Sequence, residues 1–300
     1  MDVVSDAIST VRIGRSSSNR VRVSGSWCAR FAPYDGAGFH VVLSGGCRLF
    51  GADGTALTLA AGDAVLLPRG AGHVLADAEA DPSRAQHAVP FEEFTGELPK
   101  AQPGGPGEAE LLCGKYRLDH SRAHPLLAEL PDVVHLPNRV GHHPELRSAI
   151  DLLGRELNGH RPGSGIAVPS LLDLLLVYMV RARLAEDSTG AWPAALADPV
   201  TAAAVRALHA DPAAPWTNDR LAAEVGVSRA TLARRFTTLI GRPPMAYLTW
   251  WRLALAAARL RDTPDPLAAI ARRVGYGTPY ALSHAFLREF GTTPGRYRSR

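Results

Sequence analysis

The stretch Leu221-Ala-Ala-Glu-Val-Gly226-Val-Ser-Arg-Ala-Thr-Leu232-Ala-Arg-Arg-Phe236 recurs in outline as Ile270-Ala-Arg-Arg-Val-Gly275-Tyr-Gly-Thr-Pro-Tyr-Ala-Leu282-Ser-His-Ala-Phe286. Each copy reads as helix, glycine turn, helix. Ala222 and Ala271 are small where two helices must approach closely. Gly226 and Gly275 suit the left-handed backbone that ends a helix in a tight turn. Ser228 and Thr278 then stand where a side-chain oxygen caps the next helix. On that second helix Leu232, Phe236 and Ile240, and in the other copy Leu282, Phe286 and Phe290, fall on one face. The opposite face carries Arg229, Ala230, Ala233, Arg234 and Thr237 in the first copy, and Gly277, Tyr280, Ala281, His284 and Arg288 in the second. One buried stripe and one exposed stripe is what a helix needs to enter the major groove of DNA. The plainer reading is two helical hairpins with solvated Arg faces, since one such hairpin is common; two in tandem favour the groove-reading device.

Charge points the same way. From Pro199 to Arg300 there are fifteen Arg, no Lys and six acidic residues, a net of +9; the whole chain is +4, so the other 198 residues carry −5. A basic third on a mildly acidic remainder implies a polyanionic partner. At 300 residues, 46% apolar and 21% charged, the chain is globular and long enough for two domains. Met1–Val11 carries Asp2 and Asp6 and resembles no secretory signal. The apolar run Leu171–Val180, interrupted by Asp173, is too short to span a bilayer, so no membrane partner is expected. Cys28, Cys47 and Cys113 form no CxxC pair and read as reduced thiols of a cytoplasmic protein.

Working outward, Val3, Val4, Ala7, Ile8 and Val11 predict a short N-terminal helix. From Val21 to about Leu118 short β-type runs follow: Phe39–Leu43, Cys47–Phe50, Ala56–Leu59, Ala64–Leu67 and Leu111–Leu118. They predict an antiparallel barrel or sandwich, with Leu98–Gly107 as a loop. Glu145–Asn158 and Pro169–Ala185 read as helices, the second apolar nearly all round and so buried on more than one side. Glu186–Pro199 reads as the interdomain linker, and Ala246–Arg261 as a long amphipathic helix between the two repeated units. The expected fold class is α+β: a domain over 1–190 with an antiparallel β-barrel and flanking helices, then an all-α domain over 199–300 with two helix-turn-helix units.

Residues 199–300 resemble the DNA-binding domain of the AraC/XylS family of transcription regulators. The resemblance rests on Trp216-Thr-Asn-Asp-Arg-Leu-Ala, Phe236-x4-Gly241-x2-Pro244-x2-Tyr247-Leu, Arg252-Leu-x-Leu-Ala, Ile270-Ala-x2-Val-Gly-Tyr and Phe286-x3-Phe290-Gly-x2-Pro294-x2-Tyr297-Arg298. It implies double-stranded promoter DNA as partner and RNA polymerase as a second. One departure matters: where members commonly carry Arg on the second recognition helix this chain has His284, with Pro279 and Tyr280 beside it. Arg229 and Arg234 of the first unit are therefore expected to lead specificity.

Gly62-x5-Pro68-x-Gly70-x2-His73-x3-Asp77 resembles the second cupin motif, and Phe39-His-Val-Val-Leu-Ser-Gly45 the end of the first, although the usual His-x-His and Glu ligands are missing. With Cys113-Gly-Lys-Tyr-Arg-Leu-Asp119 these segments are similar to the cupin-type sensor domains of some AraC-type regulators. That resemblance implies effector sensing, homodimerisation or both. His40, Cys47, His73 and Cys113 are the candidate effector or metal residues, with zinc or another divalent ion as the cofactor they would take. A thiol sensor for a redox effector, using Cys47 or Cys113, and plain interior packing are the alternatives. Strand parity puts Cys47 opposite His40 unless a bulge intervenes. His135, His142 and His143 read as a solvated connector. An enzyme is the competing class, but the ligand set is incomplete and no paired carboxylates or nucleophile–base arrangement is visible.

Overall fold

The computed structural model describes residues 2–94, 108–119, 124–158, 161–187 and 190–299; the predicted loop at Leu98–Gly107 lies outside the described residues. In chain order the strands are β1 (Ser17–Val23), β2 (Cys28–Phe31), β3 (Ala37–Ser44), β4 (Gly46–Gly51), β5 (Ala56–Ala60), β6 (Ala64–Leu67), β7 (His73–Asp77), β8 (Val89–Pro90), β9 (Ala109–Tyr116) and β10 (Val134–Leu136). The helices are α1 (Val3–Val11), α2 (Pro82–Ala85), α3 (Phe91–Phe94), α4 (Pro125–Ala128), α5 (Pro144–Asn158), α6 (Ser164–Glu186), α7 (Ala191–Ala197), α8 (Pro199–Ala210), α9 (Asn218–Glu224), α10 (Arg229–Ile240), α11 (Pro244–Asp262), α12 (Leu267–Arg273), α13 (Pro279–Phe290) and α14 (Pro294–Arg298).

The chain forms two compact units: Arg12–Ala123 with Leu130–Glu186, and Met1–Val11 with His124–Glu129 and Asp187–Arg300. The first unit holds two five-stranded sheets, ordered β1-β9-β3-β6-β10 and β5-β4-β7-β2-β8. Of the expected barrel or sandwich, the described strands form two sheets rather than one closed barrel. The chain leaves one sheet for the other at Gly45 (φ +71), where a Cβ would strike the Glu108 carbonyl. That turn ends the pairing of β3 and lets β4 begin a new ladder with β5 and β7. Val42, Cys47, Leu49, Leu59, Leu67, Leu75, Leu111 and Cys113 are buried in the core.

Two expectations change here. His135 is a strand residue: it lies in β10 opposite Val65, and its Nε2 meets the Asp63 carboxylate at 3.1 Å. The apolar run at 171–180 is the middle of the 23-residue helix α6, long and apolar enough by length and composition to cross a membrane. One side of it packs into this unit, while Ile166 and Leu174 are exposed. Leu172, Leu175, Leu176, Met179 and Val180 are buried, Tyr116 donates a 2.8 Å bond to the Leu172 carbonyl, and Asp173 pairs with Arg12 at 2.7 Å.

The second unit gathers three separated pieces of chain, because α1 and the segment at 124–129 are bound into its core. The Leu126 N–H donates to His124 Nδ1 (3.2 Å), so the neutral ring carries its proton on Nε2, 3.0 Å from the Tyr247 hydroxyl. That hydroxyl then donates to His209 Nε2 (2.8 Å), leaving Nδ1–H to donate to the Asp6 carboxylate (2.8 Å). Asp6, His124, Tyr247 and His209 are all buried. The expected boundary put α1 with residues 1–190, whereas the chain of bonds from Asp6 to His209 ties it to this unit. Within the expected linker, Ala191–Ala197 form α7, whose Trp192 is buried and tilts on the His124 ring at 4.9 Å.

Candidate nucleic-acid interface and sensor cavity

The two repeated units are built alike. In the first, the Val227 N–H bonds the Ala222 carbonyl (3.0 Å) and the Gly226 N–H the Ala223 carbonyl (3.2 Å). In the second, Tyr276 bonds Ala271 (2.8 Å) and Gly275 bonds Arg272 (3.2 Å). This pairing around a left-handed glycine, φ +72 at Gly226 and +84 at Gly275, satisfies the last carbonyls of α9 and α12 and turns the chain sharply. Ser228 Oγ then accepts from the Thr231 N–H to start α10, and Thr278 Oγ1 from the Ala281 N–H to start α13.

Leu232 and Phe236 of α10 and Leu282 and Phe286 of α13 are completely buried, with Ile240 close to it and Phe290 partly covered. Arg229, Ala230, Arg234 and Thr237 are exposed and Ala233 is half-exposed; Tyr280, Ala281, His284 and Arg288 are exposed, Tyr280 to 80%. Each predicted face is therefore one continuous exposed stripe. Arg229 meets Asp219 only at 3.7 Å with both side chains in solvent, a weak pair that leaves the guanidinium able to turn elsewhere. Other arginines are committed to structure. Arg252 donates to the Pro212 (2.7 Å) and Ala214 (2.8 Å) carbonyls, and Arg235 bonds Asp198 (3.1 Å).

In the two-sheet unit a cavity of about 350 Å³ is lined by Phe31, Tyr34, His40, His73, Phe91 and Cys113, with Ser18 and Lys115 also on its wall. His40 and His73 face each other, Nε2 to Nε2, at 2.7 Å. Phe31 stacks on His73 (4.8 Å) and on Phe91 (4.4 Å). Burial holds both imidazoles below their ordinary pKa, His73 down to about 4.

A family model for helix-turn-helix domains matches residues 221–300, and a cupin model matches residues 2–185. A putative AraC-like transcription regulator of Streptomyces antibioticus is 36% identical, over 99% of this chain and 98% of its own length. A second of that description, from Streptomyces lividans, is 37% identical, over 99% of this chain and 98% of its own. The chain belongs to the AraC-like transcription regulators. A further relative, the transcriptional regulator AlkR of Acinetobacter baylyi, is 30% identical over 99% of both chains. The regulator is thus a DNA-binding protein with a cupin domain and tandem helix-turn-helix units.

Within the regulator's cupin domain the residues present do not fit a zinc site. His40 and His73 spend their facing nitrogens on each other, and no group of three or more His, Cys, Asp or Glu able to hold a metal occurs among the described residues. Asp77, at the end of the second cupin motif, is taken by Arg84 (2.6 Å) and the Trp27 N–H (3.0 Å). Cys47 and Cys113 are buried in the apolar core, which pushes the Cys47 thiol up to about 12 and raises that of Cys113 as well. Buried, protonated thiols are poor nucleophiles. A ladder irregularity lies between Val42 and Ser44 of β3. Phe31, Tyr34 and Phe91 had no motif to announce them; the sequence signal was Phe31 and Tyr34 flanking Pro33, and Phe91 after Pro90.

Proposed function

We propose that α10 and α13 enter successive major grooves on one face of the duplex, and that a small-molecule effector in the cupin cavity biases this binding. Base reading falls to Arg229 and Arg234, with Ala230, Ala233 and Thr237 lining the contact. Tyr280, Ala281, His284 and Arg288 hold the second groove through phosphates or fewer bases. The carrying observation is the pair of exposed stripes, each backed by a buried one and each begun by a glycine turn and a hydroxyl cap.

The connectivity offers a route for the effector. Ser17, Ser18 and Lys115 of the cavity wall belong to the ladder β1–β9, in which Ser17 faces Lys115. A few residues beyond that end of the ladder, the chain leads to α1 and to the segment 124–129, both bound into the DNA-binding unit by Asp6 and His124. The regulator works in the cytoplasm, at promoters with RNA polymerase as further partner. The exposed Leu152, Ile166 and Leu174 of α5 and α6 support a homodimer.

Mobility-shift titration on DNA upstream of its own gene tests the reading. Wild type is expected to bind specifically with steep salt dependence, and the double substitution Arg229→Ala with Arg234→Ala to lose most of the preference for specific over random DNA. Undiminished discrimination in that variant would refute the assignment.

A further inference from the structure

The cavity's buried atoms say which kind of effector it takes, an inference that rests on the cavity being the sensor site. His73 Nδ1 lies 2.8 Å from the Ala71 carbonyl, which can only accept, so His73 carries its proton there. Its Nε2 is then a bare acceptor, and the hydrogen between the two rings belongs to His40 Nε2. His40 Nδ1 is left as a bare lone pair. It has no partner, and the residue is only 4% exposed. The Tyr34 hydroxyl and Ser18 Oγ, on side chains that also line the cavity, are likewise buried and unpartnered. Unpaired buried polar atoms are rare and mark a missing partner. Here one of them demands a donor, and the other two can donate or accept.

The inner wall beside these atoms is flat and aromatic, while Ser17, Asn19, Glu92 and Lys115 also line the cavity. Phe31 touches both imidazoles, edge-on to His40 (4.9 Å) and stacked on His73, with Phe91 on its other side. Charge is balanced at the cavity, with Lys115 and Glu92 both exposed. Neutral imidazoles supply no counter-charge inside, and burial keeps them neutral at pH 7.

We infer that the cavity binds an uncharged, flat aromatic molecule of about two rings carrying a hydroxyl, which donates to His40 Nδ1 and accepts from the Tyr34 hydroxyl. A carboxylate has no proton to give His40. An ammonium finds no buried anion. An unsubstituted hydrocarbon leaves all three polar atoms unpaired. The volume lies at the lower end for small-molecule sites, which sets the two-ring size.

Isothermal titration of the full chain with 2-naphthol, naphthalene and 2-naphthoate tests this. The naphthol is expected to bind at least tenfold more tightly than either of the others. Tyr34→Phe, which removes a hydroxyl with no partner in the protein, is expected to weaken naphthol about fivefold or more and leave naphthalene unchanged. Equal binding of naphthol and naphthalene, tighter binding of the naphthoate, or no naphthol binding overturns the inference. A second arm separates it from the sensor reading: DNA titrations with and without saturating naphthol, and with the cavity filled by Ala32→Trp. Naphthol binding as described, with DNA affinity unmoved in both, leaves the ligand class standing and removes the sensor role. A DNA response to Ala32→Trp without naphthol binding does the reverse.

Discussion

The two halves of the DNA-binding unit share a plan and differ in what fills them. Around α10 the core is aromatic and polar: Phe236 touches Tyr247 (5.6 Å), and Tyr247 sits in the chain of bonds from His124 through His209 to Asp6, with His209 stacked on Trp251 at 4.2 Å. Around α13 it is apolar, made of Leu253, Leu260, Ile270, Val274, Leu282 and Phe286. The outer faces differ as well, with Arg229 and Arg234 on one and Tyr280 and His284 on the other. The lesson is a division of labour. The first half carries the directional polar contacts inside and out, and so holds both the arginines proposed to read bases and the tie to α1. The second half is a packed grip.

Tyr247→Phe should break this comparison most severely. It strands the His124 Nε2–H and the His209 Nε2 lone pair in a buried site, at about 3 kcal/mol in chemical denaturation. A loss below about 0.5 kcal/mol would mean the polar chain contributes nothing. On the outer faces, Arg234→Ala should weaken specific DNA by about 2 kcal/mol in mobility-shift titration, and His284→Ala by less than about 1. Equal losses would erase the asymmetry between the faces.

The glycine turns sharpen the contrast from the other side. Gly226→Ala meets open space and suffers only its left-handed backbone, about 1 kcal/mol. At Gly275 a Cβ would also lie 2.8 Å from Ala213 Cα and 2.9 Å from the Arg252 guanidinium, so Gly275→Ala should lose about 1 kcal/mol more in thermal unfolding. The smallest effect is with pH. Burial and the nearby His209 hold His124 well below the ordinary histidine range, so the unfolded chain takes up a proton the folded one refuses. Its contribution is fully present above about pH 6.5 and falls as the pH drops below that value. Amides of α8 and α10 should therefore lose hydrogen-exchange protection at pH 5.5 before those of α13. Simultaneous loss would show that the two cores respond as one.

How much of this the sequence carried follows from the range of the interactions. The helix-turn-helix units were legible because glycine, cap and apolar stripe all act within about ten residues. The strands at 39–43, 47–50 and 64–67 were legible for the same reason. The membership of α1 was not, because Asp6 and His209 are 203 positions apart and an aspartate in an amphipathic helix gives no sign of its partner. The departure from a closed barrel was hidden in Gly45, whose turn reads the same in either topology. For the cavity, His40 and His73 came from motif resemblance. The aromatic wall and the unpaired Tyr34 hydroxyl exist only once β2 lies beside β7.

Hydroxyl-radical footprinting of the full chain on its upstream DNA tests the central claim most directly. Two exposed helix faces in one compact unit predict two protected patches about one helical turn apart on the same face of the duplex, with Arg229→Ala and Arg234→Ala together erasing base discrimination in only one patch. A single patch, or two that lose discrimination together, would contradict the account.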